Sequence, residues 1–97
     1  MSFRHDGKKA HGWQRWCDMH RDELIRAGVP DFVLQTEFHW LRFLEEGYDQ
    51  WTGWSPTQML SPDRARILHS LILREYGNEQ YKSFLRDIEV FLEKSST

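Results

Sequence analysis

A single cysteine, Cys17, excludes an internal disulfide and fits a reducing compartment. No stretch approaches the ~20 apolar residues of a membrane span. The opening MSFRHDGKKAHG has no apolar segment of the kind that marks a secretory signal, so the expected location is the cytoplasm. Charge of one sign is not in excess either. The net charge is −2 with acids and bases mixed throughout, which gives no bulk attraction to nucleic acid or anionic membranes. Internal repeats, low-complexity tracts and strand-like alternation are missing. So are phosphate-cradling glycine loops, the nucleophile elbow and the paired E-x-x-H motifs of di-iron bundles. His20-Arg21-Asp22 spells the kinase catalytic-loop tripeptide, but without a Gly-rich loop or D-F-G it is chance. No enzyme activity, cofactor or metal is expected.

What is plentiful is aromatic carbon. Five Trp, six Phe and three Tyr in 97 residues, within a 39% apolar composition, predict a folded domain with a core of large rings. The expected fold class is all-α: one four-helix domain over residues 12–94, up-down and bundle-like. Residues 1–11, with Arg4, Lys8 and Lys9 against Asp6, read as a flexible basic tail, and residues 95–97 as a frayed end.

The first predicted helix runs from Trp13 to Ala27, closed by Gly28 with Pro30 beyond it. The second, Asp31–Tyr48, is expected to be central. On a 3.6-residue wheel its apolar side chains cover roughly 240°, against the ~100° stripe of an ordinary surface helix. Phe32, Phe43, Trp40, Val33, Leu44, Tyr48, Leu41, Leu34 and Phe38 make this arc, and Gln35, His39, Arg42 and Glu46 make the solvent-facing strip opposite. The third helix starts at Ser61-Pro62-Asp63, runs to Tyr76 and ends at Gly77. The fourth covers Asn78–Glu93.

Between the second and third helices lies GYDQWTGWSPTQML, residues 47–60, long for a bundle connection and rich in rings. Ser55-Pro56-Thr57-Gln58 resembles a capping box and predicts one helical turn over Pro56–Leu60. Trp51 and Trp54 either plug the end of the bundle or meet a partner, and one ring can anchor the loop while the other stays exposed.

Three groups of residues are candidates for function. The first reading is a non-enzymatic protein-interaction module: an adaptor, an assembly factor or an inhibitor. Its surface is Tyr48, Trp51, Trp54 and Met59 together with Gln35, His39, Arg42 and Glu46, and its partner is another protein or a second copy of the chain. The alternative is a nucleic-acid-associated regulator using Arg64, Arg66 and Arg74. Asp87, Glu89 and Glu93 on the neighbouring helix would repel phosphate, so nucleic acid is the weaker expectation. The third is a small metal-binding or enzymatic domain around Cys17 and His20, a C-x2-H pair that lacks the further ligands zinc requires. Glu37 falls inside the apolar arc, where it needs a partner or a place at a packing rim.

Overall fold

The computed structural model describes residues 12–58 and 61–95. All regular structure among them is helical: α1 (12–19), α2 (Arg21–Arg26), a 3₁₀ turn (Asp31–Leu34), α3 (Glu37–Glu46), a second 3₁₀ turn (Pro56–Gln58), α4 (Pro62–Tyr76) and α5 (Lys82–Ser95). The domain is all-α, as expected. Among the described residues no helix is long and apolar enough to cross a membrane. The proposed tail, together with Met59, Leu60, Ser96 and Thr97, lies outside the described residues.

The first predicted helix is broken at His20, whose backbone (φ −108°, ψ 15°) leaves the helical region. The hydrogen bonds from His20 N to Trp16 O and from Leu24 N to His20 O survive, so the chain keeps its direction through the break. No proline or glycine causes it. At this joint the imidazole faces the Trp16 ring at 4.6 Å and reaches Glu23 at 3.2 Å and Glu75 at 3.4 Å. Tertiary contact overrides local helix preference here.

α2 ends as its sequence predicts. Val29 N donates to Leu24 O and Gly28 N to Ile25 O, the paired bonds of a Schellman cap, with Leu24 and Val29 both buried. Gly28 has φ +77°, and a Cβ there would lie 3.1 Å from Arg64 Nη1 and 3.2 Å from its Cδ. Gly28→Ala is therefore expected to cost about 1–2 kcal/mol for the left-handed backbone, and more for displacing Arg64. Gly53→Ala, at φ +79° with nothing within 4 Å, isolates the backbone part. Thermal unfolding of the two variants should show Gly28→Ala as the more damaging; equal effects would remove Arg64 from the account.

The second predicted helix is not continuous. Asp31–Leu34 forms a 3₁₀ turn, and Thr36, in extended conformation, starts α3 afresh by accepting a hydrogen bond from His39 N at 3.0 Å. Asn, Asp, Ser and Thr compete with the helix interior in this way, because their oxygens satisfy the orphan N–H groups of a helix start. The break separates Phe32, Val33 and Leu34 from the wheel of α3, so the arc of roughly 240° is not one helix surface, although all three still pack on or in the core. Trp40, Phe43 and Leu44 are buried, but Phe38 is 68% exposed. Glu37, expected in that arc, lies exposed in the first turn of α3, where a carboxylate suits the helix dipole.

α3 is nevertheless the centre of the aromatic core. Trp40 meets Trp13, Trp16 and Phe43 at ring-centroid distances of 6.3, 5.7 and 5.8 Å. Phe43 continues the line to Trp54 at 5.5 Å and to Phe84 of α5, edge-on, at 5.3 Å. Buried indoles need their N–H groups satisfied. Trp13 donates to Leu34 O, Trp16 to Glu75 Oε1 and Trp40 to the Tyr76 hydroxyl, at 2.8, 2.9 and 3.1 Å.

α4 matches its expected bounds, with Ser61 as N-cap and Gly77 as C-cap; Ala65, Leu68, Leu71 and Ile72 form its buried face. Arg64 and Glu75, which the wheel places beside that face, are exposed. α5 begins at Lys82, four residues later than Asn78. Residues 77–81 form the turn instead: 77–80 are Gly, Asn, Glu and Gln, with no apolar side chain to pack on the core, and Tyr81 is the first to do so, edge-on against Tyr76 at 5.1 Å. This short turn makes α4 and α5 a tightly packed hairpin. α2 packs on α4, while α3 and the second 3₁₀ turn pack on α5.

Candidate functional site

The surface residues of the aromatic loop are positioned by one buried carboxylate. Asp49 is 1% exposed. Its Oδ2 accepts from Thr52 N at 2.9 Å and from the Thr52 hydroxyl at 2.7 Å, a local turn of the kind Asp forms readily. Its backbone N–H donates to Trp54 O at 2.8 Å, and its carbonyl accepts from Gly53 N at 2.7 Å. Residues 49–54 thus close on themselves.

Asp49 Oδ1 is 2.5 Å from His39 Nε2, ten residues earlier on α3. Burial pushes the Asp49 carboxyl pKa up. Hydrogen bonds from His39 and Thr52, and the adjoining His39 charge, more than offset this and hold it below the usual carboxylate range. The ionised carboxylate can only accept, so His39 Nε2 carries the proton. His39 is 9% exposed and therefore does not belong to a solvent-facing strip; the expectation is corrected by its hydrogen bond to the buried Asp49.

Arg42 is likewise half-buried, with its Cζ 5.9 Å from the centre of the Phe38 ring. Its Nε is buried without a hydrogen-bond partner. Gln35 and Glu46 are exposed as expected. The two loop tryptophans divide their duties. Trp54 is half-buried against Phe43 and anchors the loop, whereas Trp51 is 73% exposed, its ring 4.5 Å from His39. Tyr48 is 44% exposed. Between them a pocket of about 190 Å³ is lined by Phe38, His39, Arg42, Phe43, Tyr48, Asp49, Gln50 and Trp51.

Sequence reasoning missed Phe38 and Asp49. An unbroken wheel through Thr36 sets Phe38 in line with Leu34 on the apolar arc, and the break at Thr36 removes that alignment. The signal for Asp49 was present locally, in an Asp followed three residues later by Thr, but its bond to His39 is tertiary.

In other settings an Asp–His pair orients a general base toward a nucleophile. Here, among the described residues, no hydroxyl or thiol is hydrogen-bonded to His39, and the Thr52 hydroxyl is bonded to Asp49. What the arrangement can do chemically is fix a loop. It pins residues 49–54 to α3 and holds Trp51 outward.

The other two groups are placed differently. Cys17 is half-buried, and its thiol is pushed up to about 11, by burial first and then by Asp18, with Arg21 opposing. A thiol so raised is a poor nucleophile and a poor metal ligand. His20 is engaged by Glu23 and Glu75, and among the described residues no three His, Cys, Asp or Glu side chains are grouped to hold a metal. Burial also raises the Glu23 pKa, but hydrogen bonds from His20 and Arg74 and their charges hold it below its ordinary value. Of the α4 arginines, Arg66 pairs with Asp63 at 2.8 Å and Arg74 with Glu23, while Arg64 lies against Gly28. Two of the three positive charges proposed for phosphate contact thus already face carboxylates. No protein-family model matches the sequence, and searches of curated proteins and of solved structures return no match.

Proposed function

We propose that the domain is a non-enzymatic protein-interaction module, an adaptor, assembly factor or inhibitor, that binds its partner through Trp51, Tyr48, Phe38 and Arg42, with Gln35 and Glu46 at the rim. The observation that carries this reading is the Trp51 ring, 73% exposed on a loop whose carboxylate anchor is fully enclosed. Exposed rings mark an interaction site when they adjoin one another in a patch, and a rigid indole buries much area at little entropic loss. Phe38, 68% exposed, extends the apolar surface along α3. Trp54 belongs to the anchor of this surface because it packs on Phe43.

The test is a pull-down from lysate of the source organism, with nuclease added, comparing wild type with Trp51→Ala. The substitution is expected to change stability by no more than about 0.5 kcal/mol, as for an ordinary surface position. It should weaken partner binding by about 2 kcal/mol or more, as for an interface anchor. A stoichiometric protein partner retained by folded Trp51→Ala would refute the assignment of this surface. Recovery of nuclease-sensitive material alone would move the function to nucleic acid.

A further inference from the structure

The pocket beside Trp51 has two properties that together specify what fits it. Its walls are aromatic: Phe38, Phe43, Tyr48 and Trp51. Its volume of about 190 Å³ exceeds the ~150 Å³ of an engineered cavity that takes up benzene, so one large apolar side chain fits.

Its second property is a half-buried cation with an unsatisfied nitrogen. Arg21, Arg66 and Arg74 each face a carboxylate, Asp18, Asp63 and Glu23 respectively, whereas Arg15, Arg26, Arg64 and Arg86 are exposed and need no partner. Arg42 has no ion-pair partner among the described residues. Its interactions there are with the Phe38 ring, and its Nε is buried without a hydrogen bond. The one carboxylate lining the same pocket, Asp49, is already satisfied by His39 and Thr52.

We propose that the pocket receives a large apolar side chain from a segment of a partner protein, and that an adjacent aspartate or glutamate of that segment pairs with Arg42. This deepens the protein-interaction reading and rests on it. A carboxylate suits the site better than a phosphate. The exposed Glu45 and Glu46 on the same helix would repel a doubly charged phosphate more strongly than a singly charged carboxylate.

The probe is a random-peptide phage library panned in parallel on full-length wild type, Arg42→Glu, Arg42→Gln and Trp51→Ala, each first shown by circular dichroism to be folded. Wild type should enrich peptides in which Asp or Glu adjoins Phe, Leu, Ile or Trp. Synthetic copies of those peptides should bind Arg42→Glu and Arg42→Gln at least about tenfold more weakly, since truncating one partner of a desolvated charge pair typically costs that much or more. Replacing the peptide acid by its amide should weaken binding to wild type by a similar factor and leave binding to Arg42→Gln unchanged.

Enrichment of purely apolar peptides that depend on Trp51 but not on Arg42 would overturn the acidic-segment proposal and leave the module reading standing. No enrichment, together with an unaltered set of proteins in the Trp51→Ala pull-down, would overturn both. A dimer in sedimentation velocity that Trp51→Ala disperses, in place of peptide selection, would show the pocket filled by a second copy and also overturn the proposal.

Discussion

Trp40→Ala is expected to destabilise the domain by about 3–5 kcal/mol, the range for deleting a large aromatic side chain from a core. Trp40 is fully buried and touches Trp13, Trp16 and Phe43, so its loss opens a void bounded by rings from α1 and α3. It also leaves the Tyr76 hydroxyl without the indole N–H that reaches it at 3.1 Å. Rings are flat and stiff and refill such a space poorly. Against a total stability of about 5–15 kcal/mol for a small domain, this is enough to leave the variant largely unfolded at modest temperature. Urea unfolding of the variant measures it, and Trp40→Phe should recover part of the loss. A cost below about 1 kcal/mol for Trp40→Ala would mean that the core closes around the gap.

Asp49→Ala is expected to have the second-largest effect, about 3 kcal/mol, because removing a buried acceptor leaves the donors it served unsatisfied, at about 1–3 kcal/mol each where they are buried. The variant strands His39 Nε2, Thr52 N and the Thr52 hydroxyl together. Asp49→Asn should cost less, since its carbonyl can still accept from Thr52. The depressed pKa of Asp49 gives the wild type a pH dependence of definite sign. The unfolded chain binds a proton at higher pH than the folded one. The stabilisation is therefore fully present above the ordinary carboxylate range and is lost as pH falls through the depressed value. Glu23, also depressed, adds to the same acid-side loss. Unfolding midpoints measured downward from neutral pH should fall less steeply for Asp49→Asn than for wild type. Parallel curves would show that Asp49 contributes no proton linkage.

The elements that could be read from residues alone are those whose ends are written locally. Ser61-Pro62 and Gly77 bound α4, and Gly28 and Pro30 close α2, because capping is decided within a few residues. The stretch from Asp31 to Tyr48 was misread for the complementary reason. Thr36 starts a new helix, so Phe38 loses its alignment with Leu34 across the break, and Glu37 falls in the exposed first turn of α3. The break at His20 has no local signature, since it goes with contacts to Glu75 more than fifty residues away. In the candidate site, the aromatic loop is legible from its composition, but which ring anchors it and which is exposed is not, since Trp51 and Trp54 carry the same side chain and differ only in tertiary contacts. The hydrogen bond from His39 that orders the loop is not legible either. His39 has the spacing of a surface residue, and only the folded chain brings Asp49 beneath it.

The distribution of the five indoles has an optical consequence. Trp13, Trp16 and Trp40 form one block of neighbouring rings, with Trp54 joined to it through Phe43, while Trp51 stands apart against His39. A water-soluble collisional quencher should reach Trp51 and leave Trp40 bright. The near-ultraviolet dichroism should come chiefly from the stacked Trp13–Trp16 pair, whose planes lie 9° apart. The two signals separate events at the loop from events in the core. A ligand on the Trp51 face should change quencher access while leaving the dichroic band of the stacked pair in place, so the unlabelled chain serves as its own two-channel sensor.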